Sequence, residues 1–327
     1  ADETCLIEYN VCWNTAERAL TGNTIFSRSC RGTVFQYNEG YLNKTTDYDG
    51  WLYDADLQSP QCIFQYSYSH DNNHGLFWQC TDARDDNVIV RYNISRNDKG
   101  NIFCMNYANT STYVYNNTVY IPSDLSPTII DDKNANIKTY YFYNNIFCNM
   151  SSTATYNFLS GTTKTFSHNV FYGNHPSGEP NDNDDPNRLT SDPNLVNVNP
   201  VGDGNGLDAV DGYNLQPGSP CIDSGMNIAN NGGFDYWGND MPYNGITDRG
   251  FHACPGTDPS SDTPTPRPNP MTFATVPHQT GPTSIAMTAT TAVDINDVEY
   301  YFANTTIADH NSGWQASPTY ADTGLMP

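Results

Sequence analysis

Seven short phrases recur through the first 174 residues, and they constrain this chain more than any other feature. They are IEYNVCWN (7–14), FQYNEGYLN (35–43), FQYSYSHD (64–71), VRYNISRN (90–97), VYNNTVY (114–120), FYNNIFCN (142–149) and FSHNVFYGN (166–174). Each holds an apolar residue, a polar or aromatic pair, an Asn and then alternating apolar positions. The shared Asn falls at Asn10, Asn38, Asn93, Asn117, Asn145 and Asn169, with Ser67 in the variant copy, at spacings of 28, 29, 26, 24, 28 and 24. Internal periods of this size mark solenoids. Two or three short alternating strands per period predict a parallel β-helix, because alternate residues point inward and stack into columns. The periodicity of a helical solenoid is absent, and seven copies in phase argue against an antiparallel sandwich. An Asn at the same bend of every coil can bond its neighbours above and below, satisfying polar groups that are costly inside. These six Asn are therefore expected to form an inward ladder, and Asn93 to stay unglycosylated despite its N-x-S/T sequon.

Composition narrows function. Aromatic residues make up 13%, with 23 Tyr, whereas disordered chains are poor in aromatics. The net charge is −22, from 14 Lys+Arg against 36 Asp+Glu. Nucleic-acid binding needs basic surface to displace phosphate counterions, and anionic membranes repel such a chain; neither partner is expected. An anionic polysaccharide would need a bridging Ca²⁺. No apolar run approaches the roughly 20 residues that span a bilayer, and Ala1 suits a position after a signal-peptide cleavage site. The nine Cys include no CxxC pair, which leaves zinc unsupported. Scattered Cys suggest disulfides and an extracellular or cell-surface location. Cys80 and Cys104 fall nearly in phase; they either bridge coils or pack as small apolar groups. Sequons at Asn43, Asn109, Asn116, Asn149 and Asn304 are candidate glycosylation sites.

With DYDGWLYDADLQSPQCIFQYSYSHDN (47–72) and YNLQPGSPCIDSGMNIANNGGFDYWGND (213–240), the repeats resemble the bacterial right-handed parallel β-helix family. Polysaccharide lyases, some glycoside hydrolases, uronate epimerases and surface proteins share that architecture. ITDRGFHA (246–253) is a degraded match to the Pro-Asp-Ile-Gly-Ala-His phrase on which such proteins often end. The resemblance covers about residues 1–255 and implies an all-β, right-handed parallel β-helix with a C-terminal cap over 1–257. Residues 258–270 read as a Pro-rich linker. Residues 271–327 resemble the front part of a fibronectin type III or Ig-like module, which needs roughly 90–100 residues. A small, incomplete β-sandwich with an exposed edge is expected. Both ends look unfinished, so completion by neighbouring copies is expected.

Three glycines 25 residues apart, Gly50, Gly75 and Gly100, suggest one register for three coils. That register stacks Leu52, Phe77 and Ile102 in the core and lines up Asp49, His74 and Lys99. It also groups Asp47 with Asn72 and Asn97, with His70, Asp71, Arg96 and Asp98 nearby and Asp54 and Asp56 on the following strand. This is the candidate active site. A carboxylate pair supplies an acid and a water-activating base for a glycosidic bond; Lys99 or His74 can instead abstract a proton for β-elimination. Scarce basic residues favour a hydrolase over a lyase. Trp51, Tyr53 and Trp78 are candidate sugar-stacking rings, and Asp182, Asp184 and Asp185 a candidate Ca²⁺ site. The unfinished ends, sequons and modular layout point first to an extracellular, glycosylated, self-associating fibre or stalk protomer. The alternatives are a secreted carbohydrate-active enzyme and a non-catalytic glycan-binding protein.

Overall fold

The computed structural model describes residues 5–17, 21–45, 49–80, 87–106, 111–133, 139–198, 205–243, 245–254, 271–292 and 298–325. The proposed linker and Asn109 lie outside them. Contacts divide the chain into two compact units, one ending at Pro259 and the other holding Ser260–Pro327 with Trp237–Asn239.

The first unit is a parallel β-solenoid. Its coils are β1 (Leu6–Glu8), β2 (Val11–Trp13) and β3 (Ile25–Ser27); β4 (Val34–Gln36), β5 (Glu39–Tyr41) and β6 (Tyr53–Ala55); β7 (Ile63–Gln65), β8 (Tyr68–His70) and β9 (Phe77–Gln79); β10 (Val88–Arg91), β11 (Ile94–Arg96) and β12 (Asn101–Met105); β13 (Ser111–Tyr115), β14 (Thr118–Ile121) and β15 (Thr128–Asp131); and β16 (Thr139–Tyr143), β17 (Ile146–Asn149) and β18 (Thr155–Asn157). A last partial coil holds β19 (Thr163–Ser167) and β20 (Val170–Gly173). Strands stack with their counterparts three along, giving two seven-stranded sheets and one six-stranded sheet. Phe35, Phe64, Val90, Val114 and Phe142 fill the interior column of the first sheet. Residues 205–223 and 246–254, which include a short 3-10 helix (Leu207–Tyr213), lie over the outer face of the second sheet. There Leu215, Cys221 and Cys254 pack on Ile146, Cys148 and Val170.

One residue turns the first sheet into the second in every coil. Tyr9, Tyr37, Tyr66, Tyr92, Asn116, Asn144 and His168 have φ between 50 and 59°, a left-handed conformation uncommon outside Gly and Asn. The first four rings stack outside at 5.2, 5.2 and 5.5 Å. Directly after each comes the ladder residue, inward and buried from Asn38 onward. Asn93 Nδ2 donates to Asn117 Oδ1, Asn117 to Asn145 and Asn145 to Asn169, each at 3.0 Å. Two features lie beyond the repeat. At Ser67 the missing amide is replaced by Tyr53, whose hydroxyl accepts from Asn38 Nδ2 and bonds Ser67 Oγ. At the far end Asp185 Oδ2 accepts from both the N–H and Nδ2 of Asn169, at 2.9 Å.

Three sequon asparagines are built into the fold, which corrects their reading as glycan sites. Nδ2 of Asn43 donates to Gly22 O, that of Asn116 to Asp248 O and Gly250 O, and that of Asn149 to Asn174 O. All three residues are buried, so a glycan has no room. Asn304, partly exposed, remains a candidate. Peptide mapping after expression in a glycosylating host is expected to find Asn43, Asn93, Asn116 and Asn149 unmodified. Glycan on any of the four would contradict this packing.

The C-terminal unit is antiparallel. Strands β21 (Phe273–Gly281), β22 (Ser284–Ala289) and β25 (Thr319–Thr323) form one sheet, and β23 (Tyr300–Tyr301) and β24 (Trp314–Gln315) a ribbon. Met287, Ala289, Ala292, Tyr300 and Phe302 make its core. Trp314 is 70% exposed, unlike the buried Trp of an Ig core. No helix among the described residues is long and apolar enough to cross a membrane.

Candidate active site

The glycine period misstates the register. Tyr53 pairs with Phe77, and Phe77 with Phe103, so successive coils advance by 24 and then 26 residues. Gly50 and Gly100 therefore flank His74: a Cβ at Gly50 would lie 2.8 Å from the His74 ring, and one at Gly100 3.0 Å from His74 Cα. Leu52 lies over Leu76, not Phe77. The Asp49–His74–Lys99 column does not form. Lys99 is exposed, its N–H bonded to Asn72 O, and Asp47 lies outside the described residues. His70 and Arg96 belong to the second sheet, where His70 bridges Glu39 and Asp71 at 3.0 and 2.7 Å. Asp98 is buried, accepting from Ser69, Ser95 and Asn72.

A smaller cluster remains on the outer face of the third sheet. Inward residues of β6 are Tyr53 and Ala55, which leaves Asp54 pointing outward. One carboxylate oxygen, Oδ2, accepts from Asn23 Nδ2 at 2.7 Å. Asn23 Oδ1 in turn accepts the N–H groups of Gly50 and Trp51, at 2.7 and 3.1 Å. Asp56, two residues on and so on the same side, is ion-paired with Arg28 at 3.4 Å. Asp54 is only 4% exposed. Burial pushes its carboxyl well above the ordinary range, and the charges of Asp56 and Asp49 push it the same way. Burial also raises Asp49, opposed by its hydrogen bond with Asn23.

Aromatic groups complete the cluster. Trp78 is Asp54's partner on the next rung. Trp51 stacks on His74 at 4.3 Å and meets Trp78 at a tilt with centroids 4.8 Å apart, and the Lys133 ammonium sits 5.8 Å from its ring centroid. Trp51 and Trp78 are 1% and 8% exposed and pack with Cys80 and Cys104, so neither offers the open stacking face expected. Cys104 is in register with Trp78 and Cys80 lies two residues beyond, which makes both packing groups. Tyr53 faces the core, as described, and cannot stack on a sugar. Three buried polar atoms of this cluster lack partners among the described residues: Asp54 Oδ1, His74 Nδ1 and Trp78 Nε1. Buried polar groups are nearly always bonded, so such a concentration calls for a reason.

Desolvation, with the nearby charge of Lys133, lowers His74 to about 4. Between the ordinary 6.5 and about 4 the unfolded chain binds the proton and the fold does not, so stability is lost as pH falls through that window. The His74→Gln variant is expected to lose less melting temperature than the parent between pH 7 and 4.5. Equal losses would remove His74 from this account.

The proposed Ca²⁺ carboxylates do not converge. Asp185 caps the Asn ladder, Asp182 pairs with Arg188 at 2.6 Å and Asp184 accepts from Asn181 N–H. Among the described residues no group of three such side chains is placed to hold a metal. Sequence reasoning missed Asn23 and Arg28, whose partners lie 31 and 28 residues away; only the register brings them together.

No family model matches this chain. A lacto-N-biosidase of Bifidobacterium longum subsp. longum is 34% identical over 161 residues. The match takes in 46% of this chain and about a tenth of the relative's length. By its name that protein is a glycosidase.

Proposed function

We propose that this chain cleaves glycosidic bonds outside the cell, with Asp54 as the proton donor. The observation carrying this reading is the outward Asp54 carboxyl, which burial pushes well above the ordinary range, next to Asp56 and its partner Arg28. The likeness to a lacto-N-biosidase supports the same class. In this scheme Asp54, kept neutral by burial, passes its proton to the leaving glycosidic oxygen. Asp56, held by Arg28, takes a proton from the attacking water. Such a division of labour follows when neighbouring carboxyls sit in unlike environments. Two residues of strand advance roughly 6.5 Å, near the lower end of the about 6.5–9.5 Å that admits a water between acid and base. Inversion at the anomeric carbon is therefore expected. The test is to incubate the protein with oligosaccharides, beginning with the lacto-N series, and follow the first-formed anomer by NMR. Retention would overturn the assignment of Asp56 as base. A folded protein that binds a glycan but cleaves none would leave the non-catalytic glycan-binding alternative.

One observation favours a second reading, a self-associating fibre. Strand β21 lies at a sheet edge with eight of its nine residues exposed, a geometry open to strand addition. Sedimentation at rising concentration is expected to show assemblies if this edge pairs; a monomer throughout would remove the reading.

A further inference from the structure

The connections that leave the first two coils run side by side. Ser29 N–H donates to Leu57 O, Gly32 N–H to Pro60 O and Ile63 N–H to Thr33 O, at 2.9 to 3.0 Å. Within this bonded frame Cys30 Sγ and Cys62 Sγ lie 3.9 Å apart. Cys30 is partly exposed and Cys62 buried.

We propose that Cys30 and Cys62 are the site of a disulfide that staples the first coil to the second. The backbone on both sides is already fixed, so bringing the sulfurs to the bonded distance of about 2.05 Å asks mainly for side-chain rotation. Cys30, the reachable thiol, attacks first. Its thiolate displaces one half of a small-molecule disulfide such as oxidised glutathione, giving a mixed disulfide and one glutathione thiolate. Cys62 then gives up its proton and attacks the Cys30 sulfur, expelling the second glutathione. Two protein thiols are oxidised, one glutathione disulfide is reduced to two thiols, and the protons end on the glutathiones. Burial raises the Cys62 thiol to about 12, so this second attack, which needs the thiolate, is the slower step.

The staple bears on the carboxylate cluster. Arg28, two residues before Cys30, and Asn23 belong to the first coil; Asp49, Asp54 and Asp56 belong to the second. The link would hold the positioning side chains of the first coil against the carboxylates they contact. Its existence does not depend on the glycosidase reading.

The experiment equilibrates fully reduced protein with oxidised glutathione, blocks remaining thiols by alkylation and maps peptides without reduction. A Cys30–Cys62 cross-linked pair is expected, with both residues absent from the alkylated set. The melting temperature is expected to rise by about 5 °C or more over the reduced form. In the Cys62→Ser variant that rise should vanish and Cys30 should carry glutathione instead. Full alkylation of both residues after equilibration, or Cys62 joined to a different cysteine, would overturn the proposal. Glycan cleavage is read separately in each redox state, so loss of the glycosidase reading leaves the map unaffected.

Discussion

Replacing Asp54 with Asn is expected to lower the rate of glycan cleavage by about 10³-fold, within the range general acids contribute, while the protein stays folded. The amide keeps the shape and can still meet Asn23, but it has no proton to give. Stability should move the other way. Burial pushes the folded carboxyl well above the ordinary 3.8, so above that value the native state holds a proton that the unfolded chain has released. Stability therefore falls as pH rises through the window. At pH 7 the Asn variant escapes this penalty and should melt no lower than the parent; below about pH 4, where unfolded Asp is protonated too, the difference should vanish. The Asp56→Asn variant should lose about 10²-fold in rate without the stability gain. An Asp54→Asn variant that keeps more than a tenth of parental activity would remove Asp54 as the acid. A variant that unfolds would mean the carboxyl is structural.

The largest loss of stability is expected from Asn117→Ala, in the middle of the ladder. Asn117 Nδ2 donates to Val90 O, Tyr115 O and Asn145 Oδ1, and Oδ1 accepts the N–H and Nδ2 of Asn93. The residue is fully buried, so water cannot take over. Each stranded buried group costs about 1–3 kcal/mol, and five lose a partner, though such terms do not add. A net loss of about 4–6 kcal/mol is a fair expectation, or a melting temperature some 10–20 °C lower. Asn10→Ala, at the exposed end of the same ladder, is the control and should cost about 1 kcal/mol or less. Equal effects at the two positions would show that the ladder adds nothing beyond ordinary turn packing.

The ladder was legible in the sequence because it repeats: the same residue type at the same bend needs no knowledge of loop length. The carboxylate cluster was only half legible. Asp54 and Asp56 are visible as acids beside Trp51, but their environment depends on which residues lie one rung away. The glycines suggested 25 and 25; the strands adopt 24 and 26, and this slip exchanges Asp49 for Gly50 as the neighbour of His74. Tyr53 shows the same limit. An aromatic residue in a strand beside acids reads equally well as a sugar platform or as core, and burial chose core. Asp185 read as a Ca²⁺ ligand and gave no signal of its capping role, because it sits among other acids in an acidic loop and its contact with Asn169 depends on the fold.

That slip has a consequence for how such a molecule can vary. A coil that gains or loses a residue between two corners ought to shift every later side chain, as an added link shifts a chain. Here it does not, since the amide at each corner must meet the amide below it and so returns the count to zero once per turn. Spacings from 24 to 29 all end in the same phase at Asn or Ser. Insertions are thereby confined to the coil that carries them. The outer face of the third sheet can exchange neighbours one residue at a time, like a dial turned against a fixed index, while the interior columns stay in step.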